Sequence, residues 1–275
     1  MGIRIVTDSS CDLPAEVVAK HNITVVPLTI RFGEEEFTTI SPKDFWAKCA
    51  ASPTLPETAA PSPGQFEAAF RQLKSEGATG ILVINLSRGL SATIQSAELA
   101  ARAVAGDINV HVFDSETVSL GTGLIVLDCA IKAAAGASLD ELVARADDLA
   151  GRTKVFGVLD SLENLKKGGR IGGAKALLAS ALAIKPVIEV RDGKVEEGGK
   201  QRTRSKSLAF LKEVLNKNLP VESLAVLQAD CDDIDAFIAS IKDLYPGEIV
   251  VGDIGAVVGT HAGKGTIGIA FVTSK

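Results

Sequence analysis

Three hydroxyl-rich segments each follow an apolar run that predicts a β-strand. They are Thr7-Asp8-Ser9-Ser10, Leu86-Ser87-Arg88-Gly89-Leu90-Ser91 and Asp114-Ser115-Glu116. In open α/β sheets, ligands bind beyond the carboxyl ends of the strands, where hydroxyl groups and helix N-termini face an anionic group. Serine and threonine are also ordinary helix N-caps, so a single loop of this kind would not suffice. Together with the long segment Pro53–Pro61, the three loops predict a site for a small anionic molecule.

Two glycine-rich segments fail the tests for nucleotide-binding motifs. In residues 259–265 a P-loop would need glycine where Val258 stands, and Gly265 replaces the Ser or Thr that binds magnesium. Residues 168–173 lack the spacing of a dinucleotide fingerprint and follow no clear strand. We interpret both segments as tight turns, in which glycine allows positive φ.

A serine hydrolase has little support in the sequence. The chain contains 3 histidines and no G-x-S-x-G motif. His111 lies inside an apolar strand and His21 ends a predicted helix, so both have structural explanations. His261, in its glycine-rich segment, is the remaining candidate for a functional histidine.

Composition narrows the class of protein. The net charge of −5 and the pI near 5.4 argue against a protein that binds the phosphate backbone of nucleic acid. The 4 cysteines form no C-x-x-C pair, so neither a zinc site nor a redox motif is expected. No apolar run approaches the roughly 18 residues of a membrane span, and the first residues do not resemble a secretion signal. We therefore expect a cytoplasmic protein without a metal.

The elements that must position these residues alternate between short β-rich runs and amphipathic helical stretches. This pattern predicts an α/β fold of two domains with largely parallel sheets, and we place the boundary between residues 1–150 and residues 151–275. Ser41, Ser62 and Ser138 are predicted N-caps of three helices. Asp192-Gly193 predicts a type I′ hairpin turn. The tail from Gly252 to Val272 is glycine-rich and β-prone.

Motifs spread over the whole chain resemble those of the DegV family, the bacterial fatty-acid-binding proteins. The matching segments are Thr7-Asp8-Ser9-Ser10-Cys11-Asp12-Leu13-Pro14, Thr58 with Pro61–Phe66, Leu90–Ala97, Leu165–Ile171 and Gly259–Gly265. They occur in the order in which the family has them, and together they are specific although no single motif would suffice.

The resemblance implies that two α/β domains enclose a long-chain fatty acid between and within them. Residues 1–150 would carry the head-group loops, and residues 151–275 would contribute to the acyl-chain pocket. Two hydroxyl residues, Thr58 and Ser91, correspond to those that hold the carboxylate in the family. Three further residues correspond to a group near the head group that is linked to phosphoryl transfer: Arg170, Arg202 and His261. Ser9 and Thr93 are candidates for supporting contacts.

The resemblance also implies a partner. Characterised members present the fatty acid to a separate fatty-acid kinase, which makes acyl-phosphate from ATP for phospholipid synthesis. The expected protein is therefore a lipid-binding subunit rather than an enzyme, without a cofactor and without a nucleic-acid partner, and transient contact with a membrane surface is compatible with it. Two alternatives stay open: a small-substrate phosphotransferase that uses Arg170, Arg202 and His261, and a Ser-dependent acyl hydrolase.

The sequence departs from the family pattern in two places. Ala59-Ala60 replace a more polar pair after the threonine, and Ala92 replaces the usual glycine after the serine. The first change would remove a side-chain hydrogen bond, and the second would tighten the approach of the backbone to the carboxylate.

Overall fold

A computed structural model describes residues 2–275, without the side chains of residues 179–183. The α-helices are α1 (Ala15–Lys20), α2 (Pro42–Ala51), α3 (Pro63–Ser75), α4 (Thr93–Ala103), α5 (Leu120–Ala134), α6 (Leu139–Ala150), α7 (Glu163–Lys167), α8 (Arg204–Lys217), α9 (Ile234–Ile241) and α10 (Ala256–Ala262). The strands are β1 (Ile3–Asp8), β2 (Thr24–Val26), β3 (Thr29–Phe32), β4 (Glu35–Phe37), β5 (Glu57–Ala59), β6 (Gly80–Asn85), β7 (Val110–Asp114), β8 (Thr153–Val158), β9 (Lys185–Arg191), β10 (Lys194–Gln201), β11 (Val221–Gln228), β12 (Val250–Asp253) and β13 (Ile267–Thr273). Segments of 3-10 helix cover Ser9–Cys11, Gly172–Ala183 and Lys242–Leu244.

The first sheet is parallel throughout, in the order β2-β1-β6-β7. Its central strand β6 is buried along its whole length, as the continuous apolar run of its sequence predicts. Helices α3 and α4 pack on one face of this sheet, and α5 and α6 pack on the other. The α/β class and the parallel first sheet agree with the prediction.

The second sheet differs from the prediction of largely parallel strands in both domains. Its order is β10-β9-β8-β13-β11-β12, and only the pair β11–β12 is parallel. The hairpin at Asp192-Gly193 joins β9 to β10 directly, with φ of 51° and 72° at the two turn residues, and a two-residue turn can join only antiparallel strands. The final strand β13 then inserts between β8 and β11, antiparallel to both.

A third, three-stranded antiparallel sheet has the order β4-β3-β5. The sequence predicts one extended run from Ile23 to Phe32, but Pro27 and Leu28 divide it into β2 and β3, which belong to different sheets. Strand β5 pairs with β3 through Thr58 and Ile30. This small sheet therefore carries one of the predicted head-group residues.

The predicted helix caps are confirmed. Ser41 accepts a hydrogen bond from the backbone N–H of Asp44, and Ser62 and Ser138 form complete capping boxes with Gln65 and Glu141. These caps involve residues three apart, so the local sequence is enough to specify them.

One apolar core passes through both halves of the chain. It joins Ile5 and Leu82 of the first sheet to Ala225 and Ala270 of the second, with the fully buried residues of α5 between them. The boundary near residue 150 stays a prediction, because this shared core does not divide at that point. Across residues 2–275, none of the helices combines the length and the apolar character that crossing a membrane requires.

Candidate functional site

An apolar cavity lies between elements of both halves of the chain. It encloses about 620 Å³ of space outside the protein atoms, including the part open to solvent. Branched aliphatic side chains form most of its wall. They are Leu28, Leu86, Leu90, Val118, Leu159, Leu165, Ile188, Val190, Val195, Val257 and Val258. The remaining lining residues are Thr58, Ser91, Arg170, His261 and Ala262, so the cavity brings together four of the residues predicted to surround a head group.

A second cavity, of about 880 Å³ including open solvent, adjoins the first and has a more polar lining. Thr58, Arg170 and His261 line both cavities. Glu57, Asn164 and Lys167 line the polar cavity alone. The three shared residues therefore mark the place where an apolar space meets a polar one, which is the arrangement that an amphiphilic molecule with an anionic end requires.

Thr58 and His261 form a direct pair at this junction. The Thr58 Oγ1 atom lies 3.0 Å from His261 Nε2, although the two residues are 203 positions apart in the chain. Burial, with a smaller contribution from the nearby Arg170 guanidinium, lowers the pKa of His261 to about 4, so the imidazole is neutral at pH 7. If Nε2–H donates to Oγ1, the Thr58 hydroxyl proton remains free to donate to a ligand.

The other ring nitrogen of His261 has a different environment. Nδ1 is buried and has no hydrogen-bond partner within the described residues. A Cβ atom added at Gly168 would lie 2.2 Å from Nδ1, so the imidazole occupies space that only glycine leaves open. Since Gly168 has φ −75°, backbone conformation does not explain the glycine there, and the close approach of His261 does.

Arg170 connects two loops around the cavity. Its Nε–H donates to the carbonyl oxygen of Leu90 at 3.0 Å, and its NH1 group donates to the carbonyl oxygen of Gly168 at 2.7 Å. Leu90 directly precedes Ser91 in the chain. Arg170 thus holds the serine-bearing loop while part of its guanidinium remains at the cavity wall.

Ser91 lies just before α4 and lines the apolar cavity. Its hydroxyl lies 2.9 Å from the Thr93 hydroxyl and accepts a hydrogen bond from the Thr93 backbone N–H at 3.3 Å. Thr93 itself is fully buried. Ser87 stabilises the same loop, because its hydroxyl donates to the Gly193 carbonyl at the tip of the β9–β10 hairpin, 2.7 Å away.

The hydroxyl-rich loop after β1 uses its donors within the protein. Asp8 is fully buried, and its carboxylate accepts hydrogen bonds from the Ser10 backbone N–H and hydroxyl, the Asn85 side chain and the Leu86 backbone N–H. Ser9 lies outside the lining of the apolar cavity. Its Oγ accepts the N–H of Leu28 at 3.0 Å, and Leu28 does line that cavity. This loop therefore positions Leu28 and Leu86, and a direct supporting contact from Ser9 stays a prediction.

Arg202 lies apart from the other predicted residues. It is exposed in a bend before α8 and lines neither cavity. Its neighbour Arg204 is more deeply engaged, since it donates to both carboxylate oxygens of Asp233 at 2.7 and 2.8 Å. The sequence groups Arg202 with Arg170 and His261, whereas the fold brings together only the latter two.

Some contributors to the site carried no signal in the sequence analysis. Residues 256–262 form α10, although the glycine-rich tail was interpreted as turns and β-structure. This helix supplies Val257, Val258, His261 and Ala262 to the cavity wall. Asn164, which donates to the Thr260 carbonyl at 2.9 Å, was also missed. Ala92 is exposed with φ −78°, and neither Ala92 nor Ala59 lines the apolar cavity.

Metal binding has no structural support in the described residues. Among residues 2–275, leaving aside the side chains at 179–183, His, Cys, Asp and Glu form no group of three or more that could hold an ion. The polar cavity is lined by hydroxyl, imidazole, guanidinium and ammonium groups together with the Glu57 carboxylate and the Asn164 amide.

The chain is similar to known proteins over nearly its whole length. Residues 2–274 match the family described as "Uncharacterised protein, DegV family". A DegV domain-containing protein of Streptomyces coelicolor is 36% identical over 275 residues, which cover 97% of each chain. Two solved structures are also similar to this chain. A fatty-acid-binding DegV family protein from Thermus thermophilus has a TM-score of 0.92 and 32% identity, with 100% of both chains covered. A stearic-acid-binding protein from Eubacterium ventriosum has a TM-score of 0.90 and 27% identity, with 98% of both chains covered.

Proposed function

This chain belongs to the DegV family, and from that premise we propose that it binds one long-chain fatty acid with the acyl chain in the apolar cavity. The carboxylate lies at the junction with the polar cavity, where it accepts hydrogen bonds from Thr58 and Ser91. The observation that carries the proposal is that Thr58, Arg170 and His261 line both cavities. The fatty acids bound by the Thermus and Eubacterium proteins support the ligand class.

The physical chemistry of the ligand is consistent with this division of roles. Burying about fifteen methylene groups at about 0.8 kcal/mol each would contribute on the order of 12 kcal/mol of gross transfer free energy. The acyl chain therefore supplies the affinity, and the head-group contacts supply orientation. Among the described residues, Arg170 is the charged side chain that lines both cavities, and neutral His261 adds no second charge.

We further propose that the protein presents the carboxylate to a separate ATP-dependent fatty-acid kinase, which forms the acyl-phosphate. In this role the polar cavity, with Lys167 and Arg170 on its wall, is the route by which the phosphoryl donor reaches the carboxylate. The exposed Arg202 is suited to contact the kinase rather than the fatty acid. The protein acts in the cytoplasm, where ATP and the kinase are found, and transient contact with a membrane surface would let the fatty acid enter and leave.

The acyl hydrolase alternative has one observation in its favour, the 3.0 Å contact between Thr58 and His261, which has the form of a nucleophile and a base. Two features weaken it. The pKa of His261 is lowered to about 4, mainly by burial, so the imidazole is a poor base, and no carboxylate among the described residues orients its Nδ1. Ser91 pairs with Thr93 rather than with a histidine.

Native mass spectrometry of the protein purified without added lipid tests the binding proposal. A co-purified mass equal to that of a fatty acid is expected in the wild type. Thr58→Val with Ser91→Ala should weaken retention of the acid, because each lost hydrogen bond to a charged acceptor costs about 1.5–3 kcal/mol. Unchanged occupancy in this double variant would contradict the head-group assignment, and an empty wild-type protein would contradict the ligand class.

The kinase step needs a separate assay. Protein loaded with oleate is mixed with ATP and hydroxylamine, which traps acyl-phosphate as a hydroxamate, with and without a fatty-acid kinase subunit. We expect the hydroxamate only when the kinase is present. Hydroxamate from the protein and ATP alone would favour the phosphotransferase alternative, and ester cleavage by the protein alone would favour the hydrolase.

A further inference from the structure

Asp12 lies where elements of the two halves of the chain meet. It directly follows the 3-10 helix Ser9–Cys11, and its side chain is buried, with 9% of the residue exposed. One carboxylate oxygen accepts the backbone N–H of Gly255 at 3.0 Å, directly before α10. The other accepts the hydroxyl of Ser119, directly before α5. A single carboxylate therefore links three elements, and its bond to Gly255 spans 243 positions of sequence.

Asp12 packs closely against Gly252 in β12 and against Gly255 just before α10. A Cβ atom at Gly255 would lie 2.8 Å from Asp12 Oδ1, and one at Gly252 would lie 2.8 Å from the Asp12 carbonyl oxygen. Both glycines therefore permit an approach that a larger residue would prevent. Asp12 itself has φ +52°, a left-handed conformation that asparagine, aspartate and glycine adopt more readily than other residues.

Helix α10 extends from this anchor to the head-group site. Gly255 precedes its first residue, and His261 is its penultimate residue, about 9 Å further along at 1.5 Å per residue. Val257 and Val258 lie between them and line the apolar cavity. A movement at the start of this short helix would therefore be transmitted to the imidazole that contacts Thr58.

We propose that Asp12 is a positioning residue for the head-group site. Its two hydrogen bonds hold the start of α10 against the first half of the chain, and this keeps His261 within hydrogen-bonding distance of Thr58. The inference rests on the proposed function insofar as the Thr58 hydroxyl binds a carboxylate. In this role Asp12, the acidic residue of the N-terminal motif, maintains the geometry of the site and does not itself contact the ligand.

Two substitutions separate the hydrogen bonds of Asp12 from its backbone conformation. Asp12→Gly tolerates positive φ but removes both hydrogen bonds, whereas Asp12→Asn can still accept from Gly255 and donate to Ser119. Asp128→Asn is the matched control, because Asp128 is a partly buried aspartate paired with Arg145 away from α10. Each variant is titrated with oleate and with oleyl alcohol, which has the same chain without the carboxylate.

We expect Asp12→Gly to bind oleate about tenfold more weakly, the effect of losing a well-placed hydrogen bond to the head group, with little change for oleyl alcohol. Asp12→Asn and Asp128→Asn should behave as the wild type does. Equal losses for both ligands in Asp12→Gly would overturn the proposal, since they would show a general change in the cavity. Unchanged binding of oleate would also overturn it.

Nitrogen-15 NMR of the histidine side chains tests the same inference without any ligand. The chain has 3 histidines, and a His261→Gln variant identifies the signal of His261. Asp12→Gly should shift the His261 ring signals, while Asp12→Asn should leave them unchanged. If the wild type binds no oleate but these shifts occur, the proposed function fails and the positioning role stands. Unshifted His261 signals in Asp12→Gly would contradict the positioning role.

Discussion

Each end of α10 is joined to another part of the chain through one largely buried, titratable side chain. At the start, the Asp12 carboxylate accepts the N–H of Gly255, and near the end His261 contacts Thr58 at 3.0 Å. Burial, and to a smaller extent the charges of Asp8 and Asp253, raise the pKa of Asp12 to about 7 against the lowering effect of its hydrogen bonds with Ser119 and Gly255. Burial lowers the pKa of His261 to about 4. The comparison shows that burial favours the neutral form of an acid and of a base alike. The Asp12 shift therefore makes the protein less stable as pH rises, and the His261 shift makes it less stable as pH falls.

Titration of Asp12, at the start of α10, should have the largest effect on the free energy of unfolding. Unfolded Asp12 loses its proton near pH 3.8 and folded Asp12 near pH 7, so the folded state binds more protons in this interval and stability falls as pH rises through it. The difference of about three pH units corresponds to at most about 4 kcal/mol. Asp12→Asn, which does not titrate, should therefore be more stable than the wild type at pH 8, and the difference should shrink toward pH 4.

Urea denaturation of both proteins at pH 8, 6 and 4 measures this difference. Asp128→Asn serves again as the control, because Asp128 pairs with Arg145 rather than with a helix end. A constant difference between Asp12→Asn and the wild type at all three pH values would show that Asp12 does not titrate in this range.

Titration of His261, near the end of α10, should change the free energy of unfolding with pH in the opposite direction and by a slightly smaller amount. Unfolded His261 gains a proton near pH 6.5 and the folded residue only near pH 4, so stability is lost as pH falls through this interval. The shift corresponds to about 3 kcal/mol. His261→Gln removes this loss, so its stability relative to the wild type should improve between pH 7 and pH 4. If the relative stability were the same at both pH values, the buried neutral imidazole would be ruled out.

Gly168→Ala should displace the His261 ring and leave the contact between Asp12 and Gly255 unchanged. Its Cβ would lie 2.2 Å from His261 Nδ1, so the ring must move and its contact with Thr58 is lost. We expect about tenfold weaker binding of oleate, from the loss of an oriented hydroxyl donor. Gly106→Ala is the control, because a Cβ there meets nothing within 4 Å. Equal affinities in the two variants, measured by fluorescence displacement, would contradict the assigned role of the Thr58–His261 pair.

Arg202→Ala should have the smallest effect on binding and stability. Arg202 is exposed and lies on neither cavity, so the free energy of unfolding and the retention of oleate should change by less than about 0.5 kcal/mol. The same variant should still reduce hydroxamate formation with the kinase if Arg202 contacts that partner. A parallel loss of bound oleate would instead show that Arg202 belongs to the head-group site.

Local features of the fold were predictable from the sequence. The capping boxes at Ser62 and Ser138 and the Asp192-Gly193 turn depend on residues a few positions apart, and all three were confirmed. The antiparallel pair β9–β10 follows from that turn, but the directions of the other strands in the second sheet were not predictable, because they depend on where β13 inserts. Helix α10 escaped prediction since Gly259 weakens its helical propensity, and Phe45 and Trp46 pack closely around that glycine.

The sequence by itself determined the class of fold, the family resemblance and the residue types of the proposed hydroxyl-bearing head-group site. Only the tertiary structure decided which of those residues meet. Thr58 and His261 are 203 positions apart, and Asp12 and Gly255 are 243 apart, so no local pattern encodes either contact. Arg170 and Arg202 are equal candidates in the sequence, yet one reaches the cavity and the other faces solvent. Long-range packing makes these choices, because it sets which side chains lose their water and which remain exposed.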